Sequence, residues 1–113
     1  MKINDAVEAF GALAHSRRLA IFRHLVRAGP EGIAAGKIGE DLQLPPATLS
    51  FHLAHLTRAG IARSRQEGRF VIYSADFDGM GRLLAYLTED CCGGKACVTT
   101  PIQFVVTKQR KRA

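Results

Sequence analysis

Residues 44–60 read LPPATLSFHLAHLTRAG, and the fold turns on this stretch. A double proline cannot sit inside a helix, but proline's fixed φ and missing N–H suit a helix's first turn. Leu49, Leu53 and Leu56 then recur at the spacing of one helical face, and Gly60 supplies a stop. The pattern predicts a helix over Pro45 to Ala59 with that leucine stripe inward. Ala47, Thr48, Ser50, Phe51, His52 and His55 then lie on or near its other faces. Upstream, Ala35, Ile38 and Leu42 mark a shorter helix over 35–42, which Gly36 and Gly39 make dependent on packing partners. Two short helices across a three- or four-residue turn, the second presenting small polar side chains near its start, form a helix-turn-helix.

Working outward, residues 62–66 and 70–74 are short β-branched or alternating runs separated by Glu67-Gly68-Arg69, which is a hairpin signal. Asp76 is placed to cap a last helix bearing Phe77, Met80, Leu83, Leu84 and Leu87. Toward the N-terminus, residues 5–14 put Val7, Phe10 and Leu13 or Ala14 on one helical face. Ser16 can cap a second helix carrying Leu19, Phe22, Leu25 and Val26, which Gly29-Pro30 ends. The expected fold is mainly α with a small β-hairpin, a winged helix-turn-helix in which four helices precede the wing and a fifth follows it. Residues 1–90 would form this DNA-binding domain, to which the family resemblance described below adds dimerisation, and 91–113 a C-terminal, cysteine-containing basic tail.

In such a domain the second helix of the pair enters the major groove. There Thr48, Ser50 and His52 can exchange hydrogen bonds with base edges, and Ala47 or Thr48 can meet a thymine methyl. Arg58 at the helix end, with Arg63, Arg65 and Arg69 on the hairpin, can neutralise flanking phosphates and make affinity fall with salt. A winged helix that contacts only protein is the competing interpretation.

Size and charge agree with a small nucleic-acid binder. With 113 residues, 47% hydrophobic and 23% charged, the chain can build one packed core but not two. The formal charge is +6, yet four positive charges lie in the last six residues, at Lys108, Arg110, Lys111 and Arg112, leaving the body at +2. Pattern, more than bulk charge, therefore points to DNA. No apolar run approaches a membrane span and no signal-peptide core opens the chain, so a cytoplasmic protein without membrane contact is expected. Three cysteines, an odd number, cannot staple a secreted scaffold and should remain reduced.

Three segments together resemble the ArsR/SmtB family of metal-sensing bacterial repressors. They are FGALAHSRRLAIFRHL at 10–25, LPPATLSFHLAHLTRAGIA at 44–62 and SRQEGRFVIYSA at 64–75, and the likeness runs from about Ala6 to Leu87. It implies a homodimer built largely from the first and last helices, with two symmetric recognition helices on double-stranded operator DNA bearing an inverted repeat. It also implies an inducer that lowers DNA affinity. Phe51 stands where the family often carries a polar or basic residue. Arsenic sensors of the family commonly place thiolates at the start of the recognition motif, where this chain reads KIGEDL at 37–42. Zinc sensors use carboxylates and histidines on the last helix, and here Asp76, Asp78, Glu89 and Asp90 have no histidine companion. A cysteine cluster beyond the last helix resembles a smaller arsenite-responsive group.

That cluster is CCGGKAC at 91–97. Cys91 and Cys92 are expected at the end of the last helix, and Gly93-Gly94 would let Cys97 fold back, since five residues reach at most about 17 Å. Three thiolates are soft donors whose combined charge neutralises a trivalent arsenic or antimony centre. Structural zinc wants four ligands, and an iron–sulfur cluster four cysteines, so both fail the count within one chain. Arsenite As(III) or antimonite Sb(III) is the expected inducer, and no catalytic cofactor is expected. A thiol-redox-responsive repressor is the alternative. A thiol-dependent reductase is a third possibility, but no anion-cradling loop surrounds the cysteines and Lys95 is their one basic neighbour in the cluster.

Overall fold

A computed structural model of the chain describes residues 1–94. Its first helix, α1 (Ile3–Leu13), is seated by alanines: Ala6, Ala9 and Ala12 are buried, while Val7 is 61% exposed and Phe10 is exposed beside it. This corrects the inward face predicted from Val7 and Phe10. Apolar residues occupy two faces of α1, and small side chains on one of them allow closer approach to neighbouring helices. Periodicity alone could not choose between the two.

The second helix, α2 (Ser16–Ala28), is capped by His15 rather than Ser16, because the His15 ring accepts a hydrogen bond from the Arg17 N–H at 3.2 Å. Ile21, Phe22 and Leu25 enter the core as their spacing requires, but Leu19 is exposed and Arg18 takes the buried place. Gly29 ends the helix.

The helix-turn-helix follows as α3 (Ala35–Leu42) and α4 (Pro46–Arg58). Ile38 is fully buried, with Ala35 and Leu42 packed beside it, so the glycine-weakened α3 is held by its contacts. In the turn, Gln43 adopts the left-handed conformation and the Leu44 N–H bonds back to the Gly39 carbonyl at 3.0 Å. A Cβ on Gly39 would stand 3.2 Å from the Leu44 carbonyl oxygen, so a bare backbone there permits this close turn. His24 on α2 reaches Asp41 on α3 at 2.9 Å, and Lys37 reaches the same carboxylate at 3.0 Å. Lys37 first, then His24, hold that carboxyl below the usual Asp range.

A three-stranded antiparallel sheet forms the wing and its root. The hairpin strands are β2 (Ala62–Glu67) and β3 (Phe70–Ala75), each one residue longer than expected, with Glu67 opposite Phe70 around the turn Gly68-Arg69. Gly68 has φ +61°, which suits a tight primed turn. The third strand, β1 (Ile33–Ala34), was not legible at two residues and pairs Ile33 with Tyr73 and Ala34 with Ile72, so β3 is central.

The last helix, α5 (Phe77–Thr88), starts where Asp76 accepts the Gly79 N–H at 2.9 Å. Leu83 is buried and Phe77 and Met80 pack on the core, whereas Leu87 is exposed. The helix stops before the cysteines. Cys91 and Cys92 belong to a separate 3-10 helix, Cys91–Gly94, reached through Asp90 at φ +57°, which corrects their expected place at the end of α5. Cys97 lies outside the described residues. No helix among the described residues is long and apolar enough to cross a membrane.

Candidate nucleic-acid interface

The buried stripe of α4 comprises Leu49, Leu53, Leu56 and His52. The opposite side presents Ala47, Ser50, Phe51 and Arg58 to solvent, with Thr48 and His55 half-buried at its margins. Of the residues expected to face DNA on this helix, His52 is the exception, at 5% exposure. It cannot read a base edge from there. One position after Phe51, helical rotation carries it onto the leucine side, and the pattern of polar residues on α4 concealed that.

His52 instead completes a buried polar junction with Arg18. The Arg18 guanidinium donates through Nε to the Ala12 carbonyl at 2.7 Å and through Nη1 to His52 Nδ1 at 3.4 Å. Ala12 lies in the last turn of α1, where carbonyls lack helical partners, so one side chain closes α1 and tethers α4. Since an arginine only donates, His52 Nδ1 must keep its lone pair, which assigns the neutral tautomer with the proton on Nε2. The His15 ring stands at 4.9 Å between centroids and the Phe51 ring packs edge-on at 5.5 Å. Arg18 was missed as a structural residue, although it lies three positions before Ile21 and seven before Leu25, on their helical face.

Burial first, then the charges of His15 and Arg18, lower the His52 pKa below its ordinary 6.5, and burial followed by Arg18 lowers that of His55. As pH falls the unfolded chain therefore takes up protons before the folded one does. The stability these neutral rings contribute is complete above about pH 6.5 and is lost as pH drops through their folded values. Urea midpoints should accordingly fall between pH 7 and 5. In His52→Gln, whose amide oxygen can still accept from Arg18, that slope should shrink, leaving the part due to His55; an unchanged slope would contradict the assignment.

The arginines differ in their availability. Arg63 meets Asp76 at 3.4 Å at the wing root, and Arg65 is held by Glu67 at 2.8 Å and by the Glu31 carbonyl at 2.8 Å. Both ion pairs are exposed and exchangeable, worth little in water. The Arg58 and Arg69 side chains make no hydrogen bond or ion pair to another described residue, and Arg69 sits in the wing turn beside exposed Phe70. A helix with an open outward face therefore stands next to a ribbon tipped with a cation that has no side-chain partner among the described residues. This combination suits a helix in the major groove with a wing across the backbone.

Among the described residues no three His, Cys, Asp or Glu side chains are arranged to hold a metal ion. Cys91 is half-buried in its 3-10 turn.

Comparison with known proteins bears on the same surface. A helix-turn-helix domain model matches residues 13–65, which span α2 to the middle of the wing. An uncharacterized HTH-type transcriptional regulator of Methanocaldococcus jannaschii is 32% identical over 88 residues, covering 78% of this chain and 97% of that one. The solved structure of HlyU from Vibrio cholerae, also known in a reduced form, aligns with TM-score 0.61 and 29% identity over 81% of this chain and 99% of its own. A homodimeric winged helix-turn-helix DNA-binding domain from Mycobacterium bovis, described as a possible ArsR-family regulator, shares the fold at TM-score 0.64 and 21% identity, over 86% and 90% of the two chains. With its helix order, wing and near-complete overlap with such regulators, this chain belongs to the family of helix-turn-helix, DNA-binding transcriptional regulators, folded as a winged helix.

Proposed function

We propose that the protein is a cytoplasmic homodimeric repressor that binds an inverted-repeat operator and is released by trivalent arsenic or antimony held at Cys91, Cys92 and Cys97. The observation that carries the DNA part is the open outward face of α4 beside the arginine-tipped wing. Dimerisation is supported by the apolar residues one chain leaves in water: Ile3, Val7 and Phe10 on α1 and Leu87 on α5 are all at least 42% exposed. Exposed apolar groups of this kind mark association surfaces. A two-fold pairing would present two α4 helices to successive major grooves, and an inverted repeat matches that symmetry. The Mycobacterium bovis relative is described as a homodimer.

The inducer part rests on donor chemistry. Three sulfurs within seven residues suit a soft, three-coordinate, trivalent centre in charge and number. Cys91 follows α5 closely, and α5 packs against α1, so ligation there would act on helices adjoining the exposed apolar residues. A second interpretation, a thiol redox switch, is favoured by the likeness to a regulator studied in a reduced form. In it two thiols and one hydrogen peroxide would give a disulfide and two waters.

Gel-shift titration of the full chain on promoter fragments, with arsenite, antimonite, zinc, cadmium and peroxide in parallel arms, tests both. Release by arsenite and antimonite alone is expected. Release by peroxide alone would replace the metalloid with the redox switch, and release by zinc or cadmium alone would overturn the site's selectivity. Binding that does not weaken as salt rises would contradict phosphate neutralisation by the arginines.

A further inference from the structure

We propose that the outward stripe of α4 recognises the C5-methyl groups of pyrimidines in the major groove, with Phe51 as the principal contact. This inference rests on the operator-binding role proposed above and names what the helix reads. Ala47, Phe51, Ala54 and Arg58 follow one another at helical spacing, directly opposite the buried Leu49, His52, Leu53 and Leu56. The centre of the exposed face is thus methyl, phenyl, methyl, with the cation only at its end.

Phe51 is 62% exposed on this face, and its ring is not adrift. It packs edge-on against His52, whose Nδ1 is held by Arg18, so the exposed ring projects from a braced base. A phenyl group offers base edges no hydrogen bond, which leaves apolar contact as its means of discrimination. The one apolar feature a base pair shows in the major groove is the C5-methyl of thymine, or of 5-methylcytosine where cytosine is modified. The minor groove carries no such group and is too narrow for a helix. Charge complementarity supports DNA as the occupant, since Arg58 ends the stripe and Arg69 tips the adjacent wing. Ser50, exposed beside Phe51, supplies the neighbouring hydrogen-bonding group.

The test uses duplexes selected by the full-length protein from a random-sequence pool and then resynthesised with uracil in place of thymine, one position at a time. Loss of a methyl in contact with Phe51 should weaken binding about four-fold, and on the order of ten-fold when both half-sites are changed. Replacing the same T·A pair with C·G and then with 5-methylcytosine·G separates the two sources of methyl, and the methylated pair should bind better than the unmethylated one. Phe51→Ala should bind the thymine duplex more weakly, lose most discrimination between thymine and uracil, and keep the salt dependence of the unaltered protein, because no phosphate contact is removed. Equal affinity for thymine and uracil duplexes at every position would overturn the proposal. So would full discrimination retained by Phe51→Ala. Selection that yields no sequence preference at all would overturn the operator-binding role itself, and this proposal with it.

Discussion

Operator complexes formed by the protein with Cys91, Cys92 and Cys97 all replaced by Ser should persist at arsenite levels that dissociate complexes of the unaltered protein. A hydroxyl is a hard, neutral donor at working pH, so the substitution removes both the softness and the charge on which the proposed site depends. None of the three residues lies on α4 or the wing, and affinity without arsenite should stay within about two-fold. With coupling of about 1–3 kcal/mol between inducer and operator, the unaltered protein should lose roughly 5- to 150-fold in affinity when arsenite is added. Gel shifts across an arsenite series measure both quantities. A triple variant that still leaves DNA would sink the cysteine assignment while leaving the DNA-binding surface untouched.

The second large effect concerns stability. Arg18→Met should cost about 2–4 kcal/mol, seen as a Tm lower by roughly 10 °C or more, since it strands two buried acceptors rather than one apolar surface. Those acceptors are the Ala12 carbonyl in the last turn of α1 and His52 Nδ1 on α4. Adding His52→Leu removes one stranded acceptor, so the double variant should be less damaged than the sum of the two single ones. Strict additivity in urea unfolding would show that Arg18 and His52 do not act as a unit. Arg18→Lys should recover little, because an ammonium lacks the fork that reaches both partners. The same junction braces Phe51, so thermal damage in Arg18→Met should be accompanied by weaker thymine discrimination at temperatures where the variant is still folded.

Local chemistry was enough to place most elements. The paired prolines and Gly60 bound α4 to within a residue, Asp76 starts α5, and Gly68 turns the wing, because proline's fixed φ, glycine's tolerance of positive φ and the capping carboxylate of Asp76 are local properties that operate wherever the residue stands. The leucine stripe of α4 likewise lies inward as its spacing requires. Strand β1 escaped notice because two residues carry no period, and they become a strand only when β3 lies alongside.

The orientation of ambiguous faces was a different matter. α1 has alanines on one side and Val7 and Phe10 on another, and hydrophobicity favours burying the larger set; the chain buries the smaller, leaving the larger exposed. His52 and Phe51 are neighbours of opposite fate for a related reason. Composition ranks a phenylalanine inward and a histidine outward, but the buried guanidinium of Arg18, thirty-four residues away in sequence, gives His52 a partner inside and leaves Phe51 on the surface. By itself, then, the sequence determined the place of the five helices and of the wing hairpin to within a few residues, since these depend on local backbone and capping preferences and on apolar spacing. Only the tertiary structure decided the ambiguous side chains, burying Arg18 and His52 and leaving Val7, Phe10 and Leu19 exposed, since their fate depends on partners brought together from distant parts of the chain.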